Sequence, residues 1–344
     1  MDIRLPGAGI RRMRSRSRVG VAMLAACVAA AMALAPGAAQ AAAAGHSGAA
    51  SPSASWVGPA SIPAAMTNGG TPALASYDGL LYAAWQGPSS PYQILYSAYS
   101  GTTKTWTTPA AVPQALTNND TGPALGVYDG DLYVAWQGQS SPYHVYYAAF
   151  NGTSWTAQAK VPSALANPTS TAGLTAYNGD LYLAWTGQSS PYKVWYSAFN
   201  GTSWTAQATI PSTSSAGFGY SGTPLAAYQG KLYASWVTGT SELEYATFNG
   251  TSWSSPAAVG ATSEAGPALA VKGTLLYESW ISDSTLAVDW AYFNGTKWTA
   301  AAAIPDASAV NELGPAIAGY DGALYDAWAP DLFLPSAIDY SVRA

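Results

Sequence analysis

Apolar and polar residues alternate along this chain in short runs, and the runs return at a fixed interval. The clearest copy spans residues 122–156, GPALGVYDGDLYVAWQGQSSPYHVYYAAFNGTSWT. Residues 123–128 form one run, closed by Asp129-Gly130, and residues 132–136 alternate as a second. Residues 144–150 make a third, Asn151-Gly152 turns the chain again, and a fourth run carries Trp155 and ends near Val161-Pro162. Asp-Gly and Asn-Gly are the residues that two-residue hairpins require, so each copy predicts four short antiparallel strands.

The centre of the unit, Leu-Tyr-x-small-Trp, places tryptophan at 85, 136, 185, 236, 280 and 328. A second series, mostly within Asn-Gly-Thr-x-Trp, runs through Trp56, Trp106, Trp155, Trp204, Trp253 and Trp298. It begins before the first full unit and is missing after the last. Units of about 40 to 50 residues with four strands each, set radially, make a β-propeller, and a ring explains the offset. The pattern predicts an all-β fold, a six-bladed β-propeller of four-stranded antiparallel blades over residues 55–344, closed by the N-terminal strand around Trp56 completing the last blade. The tryptophans, with Tyr82, Tyr133, Tyr182, Tyr233, Tyr277 and Tyr325, are expected to pack between blades. Both tight turns fall on one side of the ring and all longer connections on the other, where binding is expected.

The first residues follow a different pattern. Arg11, Arg12, Arg14, Arg16 and Arg18 precede an apolar run over 19–35, and Ala39-Gln40-Ala41 suits a signal peptidase. The expectation is a signal peptide over 1–41, a flexible Ala/Ser/Gly leader over 42–54, and a secreted, extracellular protein. Two alternatives are a retained membrane anchor and a lipid anchor through Cys27 in Leu24-Ala25-Ala26-Cys27. Removing this segment changes the charge: seven cationic residues remain against seventeen carboxylates, a net of about −10. Nucleic acid and anionic membranes are poor partners for such a surface. Cys27 is the only cysteine, so no disulfide is expected in the propeller, and a monomer is the simplest assembly.

Ser197-Ala198-Phe199-Asn200-Gly201-Thr202-Ser203-Trp204 resembles the Asp-box of the bacterial neuraminidase repeat, Ser-x-Asp-x-Gly-x-Thr-Trp, with Phe199 at the aspartate position. Together with the recurring PALxxYDGxLYxAWxG, the chain is similar to sialidase-like six-bladed propellers over nearly all of residues 55–344. Sialidases hold the substrate carboxylate with three arginines from different blades. Beyond the leader this chain has one, Arg343, so sialidase chemistry is not expected. His144 is the one histidine within the blades, which leaves no Cys/His pair, metal cluster or Ser/His/Asp set.

The blades also differ among themselves. Blades one to three share Gly-x-Ser-Ser-Pro-Tyr and blades four to six do not. Hydroxyls, amides and an aromatic ring on one loop suit a neutral sugar. The expected ligand contacts are Gln86, Tyr92, Gln137, Ser140, Ser141, Tyr143, Ser189, Ser190, Tyr192 and Trp195; recent duplication of three blades explains the shared loop equally well. One third-strand position reads Leu95, Tyr146, Trp195, Glu244, Asp289, Asp339, and one second-strand position reads Ala83, Val134, Leu183, Ala234, Glu278, Asp326. If the blade-five hairpin closes at Asp283-Ser284, Glu278 and Asp289 become cross-strand neighbours, and Asp326 and Asp339 repeat the arrangement. Such pairs suit glycoside hydrolysis, or a calcium ion between them, although no cofactor is predicted. The leading expectation is a non-catalytic, lectin-like propeller for a neutral or weakly charged glycan. The alternatives are a glycoside hydrolase using those four acids, and a structural or protein-interaction propeller.

Overall fold

A computed structural model describes residues 55–213, 222–309, 313–330 and 335–344. The expected signal peptide, leader and Cys27 lie outside the described residues. Six antiparallel sheets follow one another along the chain, and their first strands, Ala73–Tyr77, Ala124–Tyr128, Gly173–Tyr177, Leu225–Tyr228, Ala268–Lys272 and Ala316–Tyr320, touch in a closed cycle around the axis. Second strands run Leu80–Gln86, Asp131–Gln137, Asp180–Thr186, Lys231–Val237, Leu275–Ile281 and Ala323–Trp328. Third strands, from Gln93–Ser100 in blade one to Ser336–Arg343 in blade six, lie outside them.

Blade six is completed from the other end of the chain. Strand Trp56–Thr67 pairs antiparallel with Ser336–Arg343, with Trp56 opposite Arg343 and Ala60 opposite Tyr340. Gly58 sits in this seam with φ +131°, and a Cβ there would lie 2.7 Å from the Ser341 hydroxyl. Only glycine tolerates both constraints.

The two tryptophan series hold the blades together. Trp85, Trp136, Trp185, Trp236, Trp280 and Trp328 are all among the fully buried side chains. Members of the second series reach across to an aromatic ring of the preceding blade: Trp155 to Tyr96 at 5.4 Å, Trp204 to Tyr147 at 5.4 Å, Trp253 to Tyr196 at 5.5 Å, Trp106 to Tyr340 at 5.6 Å. Edge-on pairs of this kind contribute about 0.5–1.5 kcal/mol each beyond area burial. A polar tether adds to them, because the tyrosine closing a first strand donates its hydroxyl to a turn carbonyl of the next blade. Tyr77 reaches Gly130 (3.2 Å), Tyr177 Gly230 (3.0 Å) and Tyr320 Gly79 (3.0 Å). Blade five has Lys272 at this position, and its Nζ donates to the Arg343 carbonyl at 3.4 Å instead.

The turn that resembles an Asp-box is locked locally. The Ser197 hydroxyl donates to the Thr205 carbonyl at 2.8 Å, and Asn200 Oδ1 accepts from the backbone of Thr202 and Ser203, both at 2.9 Å. Phe199 packs on Trp204 at 5.2 Å, so the residue in the aspartate's place belongs to the core.

Candidate functional site

Along the axis lie two cavities, of about 100 and about 310 Å3. Both are lined by Leu74, Leu125, Leu174, Leu225, Leu269 and Ile317, which form an aliphatic constriction between them. Neither lining contains an acid, a base or an aromatic ring. Glycan recognition needs flat apolar faces beside hydrogen-bonding groups, and among the described residues the axis supplies only aliphatic side chains and a few hydroxyls.

Richer chemistry lies between the blades on the side of the long connections. A cleft of about 330 Å3 opens between the outer strand of blade two and the second and third strands of blade three. Its walls include Ser163 and Leu165 on one side and Gln188, Ser189, Ser190, Lys193, Trp195 and Gln207 on the other, over the buried Trp185. Trp195 pairs with Trp185 on the ladder. Its indole crosses Gly187 so closely that a Cβ there would lie 2.5 Å from Nε1. Tyr146 stands in the same relation to Gly138 (2.6 Å) and stacks on Trp136 at 6.0 Å. In blades two and three the glycine that begins Gly-x-Ser-Ser-Pro-Tyr thus makes room for a ring near the start of the third strand.

The rest of that loop is anchored. Tyr143 and Tyr192 both take positive φ, 48° and 46°, and their N–H groups donate to the Ser140 and Ser189 carbonyls at 2.9 and 2.8 Å. The Tyr143 carbonyl accepts from Ala166 N–H at 3.1 Å, tying loop to outer strand. Ser140, Ser141, Ser189 and Ser190 are exposed. Tyr92, Tyr143 and Tyr192 are half-buried, and the Tyr92 hydroxyl accepts from Asn68 Nδ2 at 3.4 Å. Tyr192 does not line the blade-three cleft, although both serines and Trp195 do.

Two of the expected contacts are corrected. Gln86 and Gln137 are 0% and 3% exposed, with both amide atoms of each buried and lacking hydrogen bonds. Strand alternation turns them away from the face that carries Trp85 and Trp136, into the seam with the next blade. They cannot reach a ligand in the clefts. Ser163, Leu165, Lys193 and Gln207 escaped the sequence reading. Ser163 lies in a bulge of the outer strand with φ 60°, and the pairing register shifts there between Lys160 and Leu165. Such bulges redirect side chains. Their visible mark is the Val-Pro-x-Ala that ends several units, at 112–115 and 161–164.

The expected carboxylate pairs are also corrected. Blade five does not close at Asp283-Ser284: Ile281 pairs with Val288, and Ser282 N–H donates to the Ala287 carbonyl at 2.9 Å. This wider loop displaces the register by two residues, so Glu278 faces Ala291 and Asp289 faces Trp280. In blade six Asp326 faces Ser341 and Asp339 faces Trp328. No cross-strand carboxylate pair forms in either blade. Glu278 and Asp326 are 0% exposed, which also removes them from any substrate. Glu278 accepts from the Ser235 hydroxyl of the preceding blade at 2.5 Å. Burial pushes both carboxyls up to about 8, with the Ser235 and Ser279 hydroxyls working against it. Partial burial raises Asp289 as well, and Asp339 accepts from Ser61 at 2.6 Å. Among the described residues no group of three or more His, Cys, Asp or Glu converges to hold a metal ion.

His144 is half-buried against Tyr146, its pKa lowered by burial and then by Lys160. Arg343, the one arginine among the described residues, is 7% exposed with its guanidinium 4.4 Å over the Trp290 ring.

No protein-family model matches the chain, and no curated protein does. Solved structures do. AofleA from Arthrobotrys oligospora superposes with a TM-score of 0.61 at 14% identity, covering 84% of this chain and 86% of that one. The Aleuria aurantia lectin in complex with Fucα1-6GlcNAc gives 0.60 at 14%, covering 82% and 97%. The Hadza microbial sialidase Hz136 gives 0.58 at 12%, covering 81% of this chain and 65% of the sialidase. At such identities the likeness is one of fold, and the chain is a six-bladed β-propeller of the architecture found in sialidases and in a fungal lectin.

Proposed function

We propose that this protein is a secreted, non-catalytic, carbohydrate-binding propeller that holds a neutral glycan in clefts between adjacent blades. The observation that carries this reading is the cleft between blades two and three. An indole braced on Gly187 presents an apolar face beside the hydroxyls of Ser163, Ser189 and Ser190 and the amides of Gln188 and Gln207. A sugar ring offers the complement, a C–H face and a rim of hydroxyls. Related loops in blades one and two supply further sites of the same kind, with Ser140, Ser141 and Tyr143 in blade two, and several weak sites on one rigid body raise avidity for a polymer. The kinship of fold with a lectin solved on a fucosylated disaccharide supports the choice of ligand class. The hydrolase alternative loses two of its four acids, since Glu278 and Asp326 are sealed between blades, and both of its carboxylate pairs, since neither forms across the strands.

A glycan array probed with the whole protein tests this. Binding to one or more neutral glycans is expected, and Trp195→Ala should weaken it by about tenfold or more at the blade-three site, in the range of a lost stacking contact. A protein that ignores every glycan, or binds with Trp195→Ala unchanged, would overturn the proposal.

A further inference from the structure

The ring carries two kinds of cleft. In blades one to three the third-strand residue opposite the buried tryptophan is apolar or aromatic, Leu95, Tyr146 or Trp195, and the loop beside it begins with glycine. In blades four to six that residue is Glu244, Asp289 or Asp339, and the loop begins with Thr238, Ser282 or Pro330. Both positions change together: glycine accompanies an uncharged residue in blades one to three, and neither is kept in blades four to six. The cleft between blades three and four shows the second kind in full. It measures about 230 Å3 and is lined by Ser212, Thr213, Thr238, Thr240, Glu242 and Glu244 over the buried Trp236. Among the described residues, the neighbouring cleft is lined by Lys193 and no acid, and this one by two acids and no cation.

The surroundings have the same sign. On the side of the long connections, blades four to six also carry Glu264, Asp283 and Asp289, and none of their described lysines or arginines lies there. Lys231, Lys272 and Lys297 all belong to the tight-turn side. The potential of the acids therefore sums over this half of the rim. A bare divalent ion is a poor fit, because it takes six or more converging oxygens and no group of three metal-ligating side chains gathers among the described residues. The hydroxyls of Thr240 and Ser212 lie beside the carboxylates and suit a ligand that is itself hydroxylated.

We infer that the cleft between blades three and four binds a sugar bearing a free, protonated amine, with Glu244 and Glu242 receiving the ammonium group. The inference rests on the proposed carbohydrate-binding function and adds a second specificity to it: one half of the ring takes neutral sugar, the other a cationic amino sugar. Exchange of a ring for a carboxylate at one register position exchanges a stacking contact for a charge-assisted hydrogen bond.

Titration calorimetry of the whole protein at mildly acidic pH distinguishes the outcomes. The probes are an oligomer of glucosamine, the same oligomer fully N-acetylated, and an oligolysine peptide. The glucosamine oligomer should bind, more weakly as salt is added, and Glu244→Gln should lower its affinity by roughly tenfold, the scale of one charge-assisted hydrogen bond. If neutral glycans bind but the amine makes no difference, or Glu244→Gln changes nothing, the inference fails while the carbohydrate-binding function stands. Oligolysine binding as tightly would replace the sugar with a basic peptide. No binding of any glycan would overturn both readings.

Discussion

At Gly187 one missing methyl group decides whether a cleft exists. The indole of Trp195 occupies the volume a Cβ would need, at 2.5 Å, and nothing in real structures tolerates that approach. Gly187→Ala must therefore push the ring toward the mouth of the cleft. The exposed position of the loop leaves it room to move, so stability should fall by only about 1 kcal/mol or less. Glycan affinity at that site should fall with Trp195→Ala. Chemical denaturation alongside binding separates the two effects; a variant that binds normally would show that the indole does not frame the site. The serines of the same loop are exposed in each blade that has them, and their hydroxyls cost nothing to present.

The blade is the scale at which the buried acids act. Glu278 and Asp326 point into two successive seams, toward Ser235 and Ser279 of the blade before. Each carboxyl is held neutral in the folded protein up to about pH 8, whereas it ionises near 4 to 4.5 once the chain unfolds. Between those limits the folded state holds more protons than the unfolded one, so stability falls as pH rises from about 4.5 to about 8 and levels off above. Each group contributes a slope of roughly 1 kcal/mol per pH unit. Urea midpoints measured across that range should decline in the parent and flatten when Glu278→Gln and Asp326→Asn are combined. A parent profile that climbs toward pH 8 would show that the two carboxyls are charged in place. These residues tune the cohesion of blades four to six and lie apart from any ligand.

For the whole ring the seam between Trp56–Thr67 and Ser336–Arg343 is the single closure. Deleting residues 1–67 leaves the last third strand with an unpaired edge and strips Trp56 from its contact with Trp290 at 5.9 Å. Open edges invite pairing with other chains. The truncated protein should lose its cooperative thermal transition and run as aggregate on size exclusion, while deletion of residues 1–54 should leave both unchanged. A stable monomer lacking residue 67 and all before it would mean that blade six holds with three strands and that closure is dispensable.

The repeat itself determined the number of blades, the strands within each, the side that carries the long connections and the pairing of the two chain ends. Period, turn residues and tryptophan spacing are local signals, and they all agree. It also aligned Trp195 and Glu244 at one third-strand position, but the ladder alone showed that this position stands opposite the buried tryptophans. Only the tertiary structure decided which side chains meet. The loop after Ile281 is wider than a tight hairpin, and that width separates Glu278 from Asp289. The face of the strand on which Gln86 and Gln137 fall became a seam once another blade covered it. A cleft formed where a bulge in one blade, at Ser163, came beside a loop of the next. Strand sequences encode which residues alternate; the volume between two blades depends on both blades at once, and no single repeat contains it.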